Sequence, residues 1–167
     1  MESKFPTKPW LRPTVIAGLA SAAFALLVDQ GTKAIVVANE AALNAGIPVI
    51  PGFNLVFLRN DGVTFGLLGG APWWGLVVLA LAISGLFAVL LSRTSSQIEA
   101  LALGAIIGGA LGNVVDRMRY RAVTDFLDFY VGSAHWPAFN MADVFVVGGV
   151  GLMLAAPMVQ RRHQTGP

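Results

Sequence analysis

The chain has 167 residues, of which 56% are hydrophobic and only 12% charged, with a net charge of +2 and a mean hydropathy of +0.70. A soluble domain carries about 25% charged residues, so this composition leaves too little polar surface to enclose a core, and the apolar residues are expected to face lipid. The absence of cysteine excludes a disulfide framework, a thiolate nucleophile and a cysteine-based metal site.

Four long apolar runs follow one another, and each is long enough to cross a hydrocarbon layer about 30 Å thick. They cover residues 14–37, 73–91, 98–115 and 141–159. The length of the chain suits one membrane domain over residues 1–167. A cleavable signal peptide is the alternative for the first run, because basic residues precede it. That run is longer than the ~7–15 residues of a signal-peptide core, and three more runs follow, which favours a permanent span.

Basic residues flank the four runs on one side of the membrane. Basic residues concentrate on the cytoplasmic side, so both termini are predicted to be cytoplasmic. The residues concerned are Lys4, Lys8, Arg12, Arg93, Arg161 and Arg162. This placement accounts for the positive net charge better than nucleic-acid binding does. Arg117, Arg119 and Arg121 break the pattern, because they follow the third run on the outer side.

Two segments are therefore expected outside. Residues 38–72 combine proline and glycine with β-branched and aromatic residues, which predicts short strands at the membrane surface. In the second segment, residues 116–140, an apolar stripe at helical spacing predicts a short interfacial helix over residues 123–130. Asp125 and Asp128 would lie off that stripe.

Polar side chains gather at the predicted outer boundary. Asp29 and Lys33 are four residues apart and share a helix face, where an ion pair at a helix end is the simplest interpretation. Asn113, Asp116 and Arg117 end the third run, where they are either a bundle-stabilising cluster or part of a site. Buried polar groups in a membrane are costly, and several separate segments deliver them to one level, which favours a site.

Carboxylates are the best catalytic groups that this composition offers. The two histidines, His135 and His163, are far apart and not in a metal-ligand spacing, so no metal or cofactor is expected. Two aspartates that share a site do not both ionise easily, so one serves as acid and the other as base in peptide hydrolysis. Asp125 and Asp143 are the predicted pair, and Asp116 and Asp128 remain alternatives on chemistry alone.

Two non-peptidase interpretations remain open on composition. Polar residues within a membrane also mark ion or proton paths in transporters. Gly104, Gly108 and Gly112 line one helix face at a spacing that permits close helix packing, which would suffice for a membrane scaffold.

The chain resembles the lipoprotein signal peptidase family, the bacterial signal peptidases II. Five blocks carry the resemblance, over roughly residues 14–160. They are Asp29-Gln30-Gly31-Thr32-Lys33, Asn60-Asp61-Gly62-Val63-Thr64-Phe65-Gly66, Gly108 to Asn113 with Asp116-Arg117, Val123-Thr124-Asp125-Phe126, and Phe139-Asn140-Met141-Ala142-Asp143. The resemblance implies a four-helix membrane fold with a small β-rich segment at residues 38–72 that clasps substrate.

The resemblance also implies an activity and its site. The family removes the signal peptide from diacylglyceryl-modified prolipoproteins, cleaving before the lipidated cysteine at the outer face of the cytoplasmic (inner) membrane. Asp125 and Asp143 match its catalytic aspartates. Further residues match positions that line the site or bind globomycin-type inhibitors; they are Asp29, Lys33, Asn60, Gly62, Asn113, Arg117, Asn140 and Ala142. A monomeric enzyme without cofactor is expected.

Overall fold

The computed structural model describes residues 12–62 and 72–164, with side chains as far as Ala156. Four long helices and one short helix occur in the described ranges: α1 (Pro13–Ala38), α2 (Glu40–Leu43), α3 (Trp73–Arg93), α4 (Gln97–Tyr120) and α5 (Met141–Gln164). Four strands form one antiparallel sheet in the order β1-β2-β3-β4: β1 (Ile47–Ile50), β2 (Phe53–Asn60), β3 (Val123–Val131) and β4 (Ala134–His135). The expectation of a mostly helical protein with a small sheet is confirmed.

Three of the helices in the described ranges, α1, α3 and α4, are long and apolar enough to cross a membrane. The described side chains of α5 give a shorter apolar stretch, Met141–Ala156. Lys4 and Lys8, on which the predicted orientation partly rests, lie outside the described ranges. Residues 63–66 of the second motif block also lie outside them.

Helix α4 is the centre of the bundle. Half of its apolar window is buried inside the protein, against 17% for α1 and 22% for α3. Gly104 and Gly108 make this possible on the side of α1, because a Cβ atom at either position would collide with the carbonyl oxygen of Gly18 or Ala22. The predicted glycine face is therefore the surface on which α1 and α4 approach most closely.

The prediction of an interfacial helix over residues 123–130 is wrong, because these residues form β3. The strand pairs with β2, with Leu58 opposite Asp125. The segment is rich in β-branched and aromatic residues, which favour strands. Its residues 123–126 are all buried, so no alternation of polar and apolar residues identifies the strand in the sequence.

The end of α4 directs the chain into this strand. Arg121 adopts a left-handed conformation (φ 60°), and its N–H bonds to the carbonyl oxygen of Arg117 over 2.9 Å. Arg117 and Arg119 occupy the last helical turn, where positive charge interacts favourably with the helix dipole. The helix end thus gives a structural reason for basic residues that the topology rule leaves unexplained.

Candidate active site

Asp125 and Asp143 line the same small cleft, although they come from different kinds of structure. Asp125 lies on β3, and Asp143 lies in the first turn of α5. The cleft has a volume of about 110 Å³. Its other lining residues are Asn60, Gly62, Asn113, Arg117 and Val123. Strand β3, the end of β2 with the residues that follow it, and two helix ends therefore meet around two carboxylates.

Asp125 is almost completely buried and receives two amide hydrogen bonds. The Nδ2 atom of Asn60 donates to its Oδ2 over 2.9 Å, and Nδ2 of Asn140 donates to its Oδ1 over 2.6 Å. The pKa of Asp125 is raised from 3.8 to about 6. Burial is the largest cause, the two hydrogen bonds act against it, and the negative charge of Asp143 acts with it. Asp125 therefore holds a proton more readily than an ordinary carboxyl group.

Asp143 receives hydrogen bonds that suit an ionised carboxylate. Nδ2 of Asn113 donates to its Oδ1 over 3.0 Å, and the backbone N–H of Asn140 donates to its Oδ2 over 3.2 Å. In return, the backbone N–H of Asp143 donates to Oδ1 of Asn140 over 3.2 Å. This reciprocal pair is a capping box at the start of α5, where the helix dipole also favours negative charge.

Asn140 connects the two aspartates by hydrogen bonds. Its side chain is fully buried, and its amide contacts Asp125 through Nδ2 and the backbone of Asp143 through Oδ1. The Nδ2 atom also lies 3.3 Å from Oδ1 of Asn113. One amide side chain therefore fixes the position of the strand carboxylate relative to the helix that carries the other one.

Arg117 closes one side of the cleft. Its guanidinium donates to the carbonyl oxygen of Gly62 over 3.0 Å and approaches that of Asn113 at 3.5 Å. Among the described residues it forms no ion pair with a carboxylate within 4.0 Å. Its positive charge therefore stays available beside the aspartates.

Four of the predicted site residues lie behind the cleft and do not line it. They are Asp29, Lys33, Asn140 and Ala142. Lys33 is 3% exposed and forms an ion pair with Asp29 over 3.0 Å. Its ammonium group also donates to Oδ1 of Asn113 over 2.9 Å, so this buried pair contacts a residue of the cleft directly.

The structure separates the two alternative aspartates, Asp116 and Asp128, from the cleft. Asp128 is three residues from Asp125 on β3, so it faces the opposite side of the sheet. There it accepts a hydrogen bond from Asn54 over 2.9 Å and contacts Nδ1 of His135 over 2.8 Å. Asp116 accepts the backbone N–H of Thr124 over 2.8 Å and forms a 3.6 Å ion pair with Lys33.

Sequence reasoning missed Val123, which lines the cleft beside Asp125. The two residues are two apart on a strand and therefore share a face, which the interpretation of the segment as a helix concealed. Within the described parts of the chain, no group of three His, Asp or Glu side chains is arranged to hold a metal ion.

Comparisons with known proteins give a consistent picture. The family model described as signal peptidase (SPase) II matches residues 21–159. The chain is 42% identical over 162 residues to the lipoprotein signal peptidase of Nitratidesulfovibrio vulgaris, covering 93% of this chain and 96% of that protein. It is 40% identical over 161 residues to the lipoprotein signal peptidase of Syntrophus aciditrophicus, covering 92% and 99%.

Two solved structures of bacterial membrane enzymes share the fold. One has a TM-score of 0.76 at 26% identity and covers 90% of this chain and 92% of its own. The other has a TM-score of 0.71 at 29% identity and covers 83% and 90%. The resemblance that the sequence blocks indicate is thereby confirmed.

The hydrogen bond from Asn60 predicts a measurable effect on Asp125. Because this bond stabilises the charged form, Asn60→Leu should raise the pKa of Asp125 above its value of about 6, by roughly one unit. Infrared titration of the protonated carboxyl band, assigned by its loss in Asp125→Asn, measures the pKa. Asn54→Leu removes the amide that bonds Asp128 on the opposite face of the sheet and should leave the pKa of Asp125 unchanged. An unchanged or lower pKa in Asn60→Leu would contradict this account.

Proposed function

The chain belongs to the signal peptidase II family, and we propose that Asp125 and Asp143 are its catalytic pair. The protein is a peptidase that removes the signal peptide from prolipoproteins. The observation that carries the catalytic assignment is the shared cleft. Both carboxylates line it, and the buried side chain of Asn140, which does not line the cleft, bonds to both residues.

The surroundings of the two aspartates support different roles in the first step. Asp143, which receives hydrogen bonds from Asn113 and Asn140, accepts a proton from a water molecule. The water oxygen forms a bond to the scissile carbonyl carbon. Asp125, whose raised pKa favours the protonated form, donates its proton to the carbonyl oxygen. The product is a neutral tetrahedral diol, with one proton moved through each carboxyl group.

The second step returns both groups to their starting states. Asp143 gives its proton to the amide nitrogen, the C–N bond breaks, and Asp125 takes back a proton from one hydroxyl group of the diol. The signal peptide leaves with a new carboxyl group and the lipoprotein with a new amino group.

We also propose that the scissile bond precedes a diacylglyceryl-modified cysteine. An apolar groove of about 550 Å³ leads to Asp143 along α5. It is lined by Trp136, Phe139, Val144, Val146, Val147 and Gly148. A lipid-modified substrate already lies in the bilayer, so its acyl chains enter such a groove sideways while the peptide bond reaches the polar cleft.

The finer topology and partners are proposals on the same basis. We propose that α5 is the fourth span, that both termini are cytoplasmic, and that the cleft faces outward from the inner membrane. The position of Arg93 supports this, because it lies at the end of α3 and therefore between the second and third spans. The enzyme is proposed to act as a monomer over residues 1–167, with globomycin-type inhibitors competing for the cleft.

Substitution of either aspartate tests the catalytic assignment. Asp125→Asn and Asp143→Asn each remove one proton-transfer group, so cleavage of a diacylglyceryl-modified prolipoprotein should fall at least 10³-fold. A gel-shift assay with purified protein in detergent measures the cleavage, and thermal unfolding checks that each variant is folded. Full cleavage by a folded Asp125→Asn or Asp143→Asn variant would refute the pair.

The raised pKa of Asp125 predicts the alkaline side of the pH profile. Asp125 must be protonated to act as an acid, and its protonated fraction falls as the pH rises through about 6. The value of kcat/KM should therefore decline above that pH, by up to about tenfold per unit. Steady-state cleavage across the pH range measures the profile. A rate that instead increases through this region and reaches a plateau contradicts Asp125 as the acid.

The topology is testable by single-cysteine labelling, because the natural chain contains no cysteine. Asp61 follows β2, Arg93 ends α3, and both are exposed. In intact spheroplasts a membrane-impermeant maleimide should label Asp61→Cys and not Arg93→Cys. Permeabilised cells provide the control, where both should react. The opposite labelling pattern contradicts the orientation.

A further inference from the structure

We propose that Asp116 is a positioning residue that, together with Asp29 and Lys33, holds the backbone immediately before each aspartate of the catalytic pair. These three residues are called the ionic frame below. The proposal rests on the catalytic role proposed above for Asp125 and Asp143. None of the three residues lines the cleft, so the frame acts through its neighbours and not on the substrate.

The two carboxylates of the frame make equivalent contacts. Oδ2 of Asp116 accepts the N–H of Thr124 over 2.8 Å, and Thr124 directly precedes Asp125. Oδ1 of Asp29 accepts the N–H of Ala142 over 2.9 Å, and Ala142 directly precedes Asp143. Both hydrogen bonds are buried. Each catalytic residue therefore follows a backbone position fixed by a charged acceptor on another element.

Lys33 joins the two carboxylates to the cleft. Its ammonium group lies within 4.0 Å of three oxygen atoms, two at hydrogen-bond distance and the third in a longer ion pair. These are Oδ2 of Asp29 at 3.0 Å, Oδ2 of Asp116 at 3.6 Å and Oδ1 of Asn113 at 2.9 Å. Since Oδ1 of Asn113 faces the ammonium group, its Nδ2 is left to donate to Asp143. The ammonium group thereby sets which end of the Asn113 amide meets the catalytic carboxylate.

Gln30 links the two carboxylates of the frame from the other side. Its Nε2 lies 3.1 Å from Oδ2 of Asp29 and 3.2 Å from Oδ1 of Asp116. All four carboxylate oxygens therefore have a partner. Gly112 provides the space, because a Cβ atom there would collide with the Asp29 carboxylate. A buried network whose hydrogen bonds are satisfied is rigid, and it therefore restricts the positions of the backbone groups bonded to it.

The proposal predicts a specific kinetic effect of Asp116→Ala. A shift of about 1 Å in a catalytic group can cost on the order of 100-fold in rate, so kcat should fall about 10- to 100-fold. KM should change less than about twofold, since Asp116 does not line the cleft. Asp116→Asn retains an oxygen that accepts the Thr124 N–H and should recover a large part of kcat.

Asp128→Ala is the matched control. Asp128 is also a buried aspartate and lies on the same strand as Asp125, but it bonds Asn54 and His135 on the other face. Its substitution should leave kcat within about threefold of the natural enzyme. The comparison separates the effect of losing any buried carboxylate from the effect of losing the carboxylate of the ionic frame.

Amide hydrogen exchange tests the frame without relying on catalysis. In Asp116→Ala the Thr124 amide should exchange faster, while the Ala142 amide keeps its protection; Asp29→Ala should give the reverse. If Asp116→Ala does not fold, Asp116→Asn is compared with Asp128→Asn. Because a neutral amide oxygen is a weaker acceptor than a carboxylate, the Thr124 amide should then exchange faster in Asp116→Asn than in Asp128→Asn.

Three results would overturn the proposal. They are a Thr124 amide that remains protected in Asp116→Ala, a loss of kcat no larger than that of Asp128→Ala, and an increase of KM with kcat unchanged. Failure of the proposed function is a different result, because it would appear as full cleavage by Asp125→Asn, while the exchange measurement would still report on the frame.

Discussion

The geometry of the site depends on a buried ammonium group, that of Lys33, between α1 and α4. A charge in this position is tolerated only with excellent partners, and loss of one partner from a buried ion pair costs about 3–5 kcal/mol. Lys33 has two carboxylates and one amide oxygen within 3.6 Å. Because these acceptors come from two helices, the requirement to satisfy the charge fixes the register of α1 against α4.

The glycines of α4 allow this arrangement to form. Gly104 and Gly108 bring the backbones of α1 and α4 together, and Gly109 does the same for α5, where a Cβ atom would meet the carbonyl oxygen of Ala142. Close approach on two faces of one helix brings the side chains at its C-terminal end within hydrogen-bond distance of both neighbours. The small sheet then adds Asp125 from the side, so the cleft forms where a helical bundle and a strand meet.

Hydropathy predicts the long helices because a run of about 20 mostly apolar residues has few other structures available to it in a membrane. The chemistry of a chain without cysteine also favours carboxylates, and the motif blocks predict which ones. The sequence does not predict that Val123 and Asp125 lie on a strand, because this segment is buried and shows no alternation. Nor does it predict that Asn140 joins both aspartates or that Asp116 bonds Thr124. Those contacts depend on how separate elements pack, and local patterns contain no information on that packing.

The residues that line the cleft also hold it together. Asn113 bonds Lys33, Asn60 bonds Asp125, and Arg117 bonds the carbonyl oxygen of Gly62. Among the described residues that line the cavity, Val123 alone has a purely apolar side chain. A drug that occupied the cleft by imitating a peptide would therefore leave the bacterium few routes to resistance. Most substitutions of these residues that weakened its binding would also displace the two aspartates proposed as the catalytic pair.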